Sequence, residues 1–426
     1  MTGGLMQLVA YGAQDIYLTG NAHITFFKSV YRRHTNFAIE AIEQTLSGQA
    51  DFGNRVTSII SRNGDLINRM YVQATLPALS QSGSFRWVDD VGHHLLKEME
   101  VEIGGQMIDR QYGDWLQIWM LLTLPSDKQD GYNKMIGQDG QTYPNGVEWD
   151  TSLQAYTEND KPERTLFIPL QFWFCRHAGL SLPLIALQYH EVKIILTFRK
   201  LDELIISSEN TIEPASLINV KLWADYIYLD TDERRRMAQV SHEYLIEQVQ
   251  HNGDQTLTGS RERIKMTFNH PVKELIWFVR HDTIEEENQW SNYTNLLAET
   301  EAAGAPDKNH RNPNDSMNPV TEAKLLLNGQ DRFSARSGDY FNLVQPYQHH
   351  TRIPESPGLN VYSFGLHPEA HQPSGTVNMS RIDVAELQLT LAFEGEADNR
   401  SKLYVYATNY NVLRIMSGMG GLAYSN

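Results

Sequence analysis

Metal chemistry on a β-strand needs two His one residue apart, so that both imidazoles face the same side, with further His or Glu converging on the ion. His93-His94 and His349-His350 are instead adjacent, which on a strand turns them to opposite faces, and no His-x-His occurs anywhere. His367 and His371 bracket Glu369 in HPEAH, but Pro368 and the loop composition read as surface histidines. Neither His190-Glu191 nor His242-Glu243 continues into the His-Glu-x-x-His of a zinc-hydrolase helix. The absence of any Gly-Lys pair removes a phosphate-cradling Walker loop. Gly418 to Ala423, GMGGLA, spells a dinucleotide fingerprint, but it lies three residues from the end with no helix to follow and reads as a flexible tail. Cys175, flanked by Phe174 and Arg176, reads as a buried strand cysteine rather than a nucleophile. No catalytic residue, metal or cofactor is therefore expected. Four Asn-x-Ser/Thr sequons, at Asn292, Asn314, Asn378 and Asn399, are the candidate modification sites.

The elements around these residues are predominantly strands. Met99, Val101 and Ile103 alternate with Glu98, Glu100 and Glu102; Leu387, Leu389, Leu391 and Phe393 alternate with Glu386, Gln388, Thr390 and Ala392. A period of two with one polar face predicts an antiparallel sheet over a core. Helical signals are few and short: Ile24, Phe27 and Tyr31 at helix spacing, and Asp230 with Glu233 as a capping box. Arg234-Arg235-Arg236 then forms a solvated helix turn, because acid first and base last complements the helix dipole. Long connections, notably Ser126–Asn159 and Leu297–Pro319, separate the strands.

One phrase occurs twice. Residues 103–119 read IGGQMIDRQYGDWLQIW, and residues 327–344 read LNGQDRFSARSGDYFNLV. Gly105-Gln106 answers Gly329-Gln330, and Gly113-Asp114-Trp115 answers Gly338-Asp339-Tyr340. Three further segments match in the same order: Asn63–Gln73 with Asn269–Val279, His190–Phe198 with Asp383–Phe393, and the closing KLWADYIYL with KLYVYATNY. Loops absorb the unequal spacing, so the chain is one β domain built twice. Roughly 200 residues of strands with long crossovers fit a sandwich or jelly roll, not a propeller repeating every 40–50 residues. Tandem jelly rolls occur in bicupin-type metal enzymes and in viral shells; the missing His-x-His opposes the enzyme. A jelly-roll carbohydrate binder is a third alternative.

A chain of 426 residues exceeds one ordinary core and suggests two domains. Its net charge of −16 argues against direct nucleic-acid binding. The single cysteine points to a reducing compartment; with no signal peptide, myristoylation start or membrane-length apolar run, a soluble cytosolic product is expected.

Longer phrases carry a specific likeness. The opening GGLMQLVAYGAQDIYLTGNAHITFFKSVYRRHTNFAIE, together with ISRNGDLI, LPLIALQYHEVK, HEYLIEQ, LNGQDRF, QPSGT and NYNVLRIMSGMGGLAYSN, resembles the major capsid proteins of nucleocytoplasmic large DNA viruses, the algal-virus branch above all. The likeness implies a mainly β chain of two tandem eight-stranded antiparallel jelly rolls, a double jelly roll, with long loops and a few short helices. The organisation expected is an N-terminal arm (1–24), a first roll (25–228), a short helical linker (229–240), a second roll (241–410) and a C-terminal tail (411–426). The resemblance implies a homotrimer whose six like rolls give a nearly hexagonal outline, meeting neighbouring capsomers and minor capsid and penton proteins. It also implies an internal membrane beneath the shell without direct insertion. Host surface glycans are expected to touch exposed loops of the second half, and virus-encoded sugar chemistry would act at the sequons.

Overall fold

The computed structural model describes residues 34–80, 85–138, 149–150, 155–156, 160–161, 163–207, 213–294, 318–392 and 401–424. In the first half, eight principal strands run as β1 (Phe37–Gln44), β2 (Arg55–Ile59), β3 (Leu66–Leu76), β4 (Leu96–Ile103), β5 (Gln106–Tyr112), β6 (Arg164–Pro169), β7 (Val192–Phe198) and β8 (Ile218–Leu229). They form two facing antiparallel sheets, ordered β1-β8-β3-β6 and β2-β7-β4-β5. The second half repeats the set: β9 (His242–His251), β10 (Arg261–Met266), β11 (Pro271–His281), β12 (Val320–Leu327), β13 (Gln330–Asp331), β14 (Asn360–Ser363), β15 (Ala385–Leu391) and β16 (Ser401–Met416). Its sheets are ordered β9-β16-β11-β14 and β10-β15-β12-β13. Every strand has its counterpart eight places later, and this interleaved order is a jelly roll made twice.

The alternation that the sequence shows is what closes each core. β7 and β15 alternate buried and half-buried residues along their whole length. Met99, Val101 and Ile103 lie in the first core and Leu387, Leu389 and Leu391 in the second. Each copy of the repeated phrase is a hairpin followed by a helix. Gly104 and Gly105 turn β4 into β5 with φ of 58° and 85°; Asn328 and Gly329 turn β12 into β13 with φ of 51° and 76°. Two positive φ values in succession are the tight turn whose twist matches paired strands.

Four helices matter below: α1 (Val91–Leu95), α2 (Gly113–Thr123), α3 (Thr231–Gln239) and α4 (Gln345–His349), the last preceded by a π-helical turn over Tyr340–Val344. Helix α3 joins the rolls. Asp230 caps it by accepting the Thr231 amide, at the place the capping-box reading assigns. Arg234 is not merely solvated, as its charge run predicts: its guanidinium holds the buried Asp65 carboxylate at 2.8 and 3.1 Å.

Three expectations are corrected. Cys175 lies on a short helix, Trp173–Arg176, and not on a strand, although it is buried. His93 and His94 occupy α1 and are both buried, so strand geometry does not separate them. Gly418 to Ala423, which reads as a flexible tail, is ordered: β16 runs unbroken to Met416, turns at Ser417-Gly418 (φ 53° and 81°), and pairs with β17 (Met419–Leu422). The expected arm and the helical spacing of Ile24, Phe27 and Tyr31 lie outside the described residues.

Candidate functional site: the junction between the rolls

Among the described residues, no group of three or more His, Cys, Asp or Glu is placed to hold a metal. The concentration of buried charge and aromatic surface lies where the two rolls meet. Helix α2 leaves β5 and lays Trp115, Ile118 and Leu122 on the outer face of sheet β9-β16-β11-β14, against Ile276, Phe278, Val361, Tyr404 and Tyr406. The Trp115 and Tyr406 rings sit 6.0 Å apart. Leu116, on the other side of α2, enters the core of the first roll. The helix is thus apolar on two sides, and each side belongs to a different roll.

Arg280 of β11 is fully buried beside this helix. It meets Asp114 of α2 at 3.2 Å, the Trp290 carbonyl at 2.5 Å and Glu285 at 3.8 Å, with the Phe278 ring 5.0 Å away. Burial alone would raise the Asp114 carboxyl, but Arg280, with Arg199, holds it below its ordinary value. Burial, and then the neighbouring cations, push His94 well below its ordinary range, so it stays neutral and bonds Ser291 at 3.0 Å. A second bridge links Arg176 of the first roll to Glu247 of β9 at 3.0 Å, and Lys273 reaches the same carboxylate at 2.8 Å. The Arg176 guanidinium also lies 3.7 Å over the Trp119 ring. Buried charges paired this way fix a geometry, because any slip leaves one of them alone.

Backbone links complete the joint. Asp109 of β5 accepts the Val249 amide of β9 at 3.1 Å, and burial pushes its pKa up to about 6. From the other end, the Gly418 carbonyl accepts the Tyr189 amide at 2.9 Å, and Gln106 accepts the Leu422 amide at 3.2 Å. His190 Nδ1 lies 2.9 Å from the Gly420 carbonyl oxygen. The last hairpin of the second roll is therefore strapped to the first.

The other histidines among the described residues gather into no ligand set. His350 is buried between Glu369, 2.9 Å from Nδ1, and Glu274, 3.2 Å from Nε2 off the hydrogen-bond line; Thr408 donates to Glu274. Burial would lower His350, but the two carboxylates outweigh it and push it up to about 9. His367 is exposed and His371 half-buried, its ring 5.4 Å from His177. Among the sequons, Asn292 is buried, its amide donating to Gln289 and its oxygen accepting from Thr294. Asn378 is exposed and accepts the Ser380 amide at 3.1 Å. Asn314 and Asn399 lie outside the described residues. The junction escapes a reading of the sequence; its one signal is a lone cation ending the apolar run LIWFVR, at Arg280.

Two like jelly rolls held at one buried angle define a double jelly-roll protein. The family described as "Large eukaryotic DNA virus major capsid protein" matches residues 233–421, and "Major capsid protein N-terminus" matches residues 25–230. The chain is similar to the major capsid proteins of Pyramimonas orientalis virus, at 51% identity, and of Phaeocystis pouchetii virus, at 49%, each over all of both chains. A quasi-atomic model of the PBCV-1 virus capsid superposes with a TM-score of 0.78 at 37% identity, covering 94% of this chain and all of that one. The chain belongs to the major capsid proteins of the large eukaryotic DNA viruses. It is a structural component of the virion shell and not an enzyme.

Proposed function

We propose that three copies of this chain close into a ring that serves as the capsomer, a nearly six-sided tile of the shell. The observation that carries this is the one-to-one strand correspondence of two rolls fused by a buried junction. Three such chains present six like units around one axis, and a head-to-tail contact that rotates back on itself closes rather than polymerises. Light scattering of the purified protein tests it: particles near three times 48.7 kDa are expected, and a persistent monomer would refute it. Electron microscopy of the same particles should show a nearly hexagonal outline.

The rest of the assembly follows from charge and placement. The tile is made in host cytoplasm and contacts neighbouring capsomers and minor capsid and penton proteins. At −16 per chain it repels packed DNA, which supports a membrane lying beneath the shell with no segment of this chain inserted. No described helix is long and apolar enough to cross one. Exposed loops of the second roll meet host surface glycans. Asn378 is the described sequon open to sugar, and intact mass above 48.7 kDa, lost on Asn378→Gln, is the readout.

A further inference from the structure

The two rolls differ in one respect that their shared topology makes informative. In the second roll, the outer face of sheet β9-β16-β11-β14 is covered by α2. In the first roll, the matching face of sheet β1-β8-β3-β6 has no equivalent of α2 over it among the described residues, and Ile39 and Phe167 there are 52% and 37% exposed. The register identifies equivalent positions. Trp223 pairs with Tyr71 as Tyr406 pairs with Ile276, and Pro169 pairs with Tyr71 as Val361 pairs with Ile276. Residues that are buried under α2 in one roll thus answer an open aromatic strip in the other. Tyr71 stacks on Trp223 and lies tilted against Phe167, each ring 6.3 Å away, and Phe167 is 37% exposed. Beside them runs a groove of about 550 Å³ lined by Tyr71, Met135, Phe167 and Pro169, with Arg69 and Asp225 at its edge.

The cover has an equivalent too. Aligned on Gly-Asp, Trp115, Ile118 and Leu122 of α2 correspond to Tyr340, Leu343 and Tyr347. Leu116 and its counterpart Phe341 both enter their own roll's core. The first trio is buried at the junction, whereas Leu343 is 46% exposed and Tyr347 is 76% exposed, with Val344 beside them at 39%. One chain therefore carries an apolar sheet face without its helix and an apolar helix face without its sheet. Both are built on the plan of an interface that the same chain already makes internally.

We propose that Leu343, Val344 and Tyr347 of one copy dock on the Tyr71–Phe167–Trp223 face of a second copy, reproducing between chains the contact that α2 makes within one. The occupant is a second copy of this chain because the cover that this face lacks is the piece that the same chain leaves unused. The contact is head-to-tail, so three chains alternate three internal and three external versions of one joint. This inference rests on the trimer reading and names its interface.

Two kinds of variant test it. Leu343→Asp and Phe167→Asp should each raise the concentration at which particles dissociate by about 30-fold or more, with an unchanged thermal melt of the separated chains. Independently, Phe167→Cys/Leu343→Cys in a Cys175→Ser background, treated with a short bismaleimide, should give a covalent ladder ending at three chains, and either single variant in that background should give none; the natural thiol is removed because it lines the same groove. If the aspartate variants fail to fold, the cross-linking decides. A three-chain Phe167→Cys/Leu343→Cys variant that yields no ladder, or folded aspartate variants that remain trimeric, would overturn this contact and leave the trimer standing. A monomeric wild type would overturn both.

Discussion

Arg280 is buried, so its worth depends on what surrounds it. Asp114 and the Trp290 carbonyl both accept from its Nη2, Glu285 lies 3.8 Å from Nη1, and Nε has no hydrogen-bond partner among the described residues. Replacing it with Met leaves the buried Asp114 carboxylate facing an apolar side chain, while half-buried Glu285 keeps Lys402, and Arg280→Met is expected to lower unfolding stability by about 3–5 kcal/mol in denaturant titration. Asp114→Asn, which keeps a polar partner, should cost less. His350 sets a pH dependence. Its pKa is about 9 folded and about 6.5 unfolded, so the folded chain holds the proton more tightly. That contribution, about 3 kcal/mol, is complete below pH 6.5 and is lost as pH rises through 9. His93 acts in the opposite sense: burial, only partly offset by its bond to Gln117, lowers it to about 4. Its neutral form therefore costs stability as pH falls from 6.5 towards 4. A melting profile against pH should fall on both sides of neutrality, and His350→Gln should flatten the alkaline limb alone.

The repeated phrase is an element, and its glycines show what that element requires. A Cβ on Gly113 would meet the Leu96 carbonyl oxygen at 2.5 Å, and one on Gly338 would meet the Val320 carbonyl oxygen at 1.9 Å. Leu96 and Val320 open β4 and β12, so in both rolls the helix after the hairpin starts hard against the first residue of that hairpin. Gly338→Ala should cost about 3 kcal/mol, because the obstacle is backbone and cannot swing away. Gly329→Ala meets nothing within 4 Å and should cost only the roughly 1–2 kcal/mol of a left-handed backbone. Equal losses in calorimetry would refute the steric account. This is also where the sequence was most legible: alternation at Met99–Ile103 and Leu387–Leu391 marked sheet faces, and the matched segments fell on matched strands. It was least legible where tertiary contact decides. The apolar run FWFC has no period of its own, so Cys175 reads as strand until packing makes it helix. His93 and His94 were opaque for the same reason. At Ser417-Gly418 the turn chemistry was present but lay within a stretch that composition marks as loose. Arg280 and Asp114 are 166 positions apart, a distance across which no local pattern reaches.

At the scale of the molecule, the angle between the rolls is the quantity that a closed ring constrains, because an error in it enters the closure once per chain. Two devices hold that angle from opposite ends: the wedge of α2 and the strap formed by β17. Removing residues 417–426 deletes the strap, and with it the links at Tyr189, His190 and Gln106 and the packing of Leu422 on the first core, while leaving α2 and the fully buried residues of both cores in place. The three hydrogen bonds across the junction, at about 1 kcal/mol each, account for about 3 kcal/mol of the loss, and the pairing with β16 and the Ala423–Val412 and Asn411–Tyr424 bonds add to it. The truncated chain should still fold, melt several degrees lower, and lose hydrogen-exchange protection at the Tyr189 amide. Protection there that survives truncation would mean that the Tyr189 amide does not depend on Gly418. Because the wedge alone leaves the rolls freer to rock, the truncated chain should also need a higher concentration to form its ring, and that rise should shrink when a bismaleimide bridge between Phe167→Cys and Leu343→Cys holds neighbouring chains together.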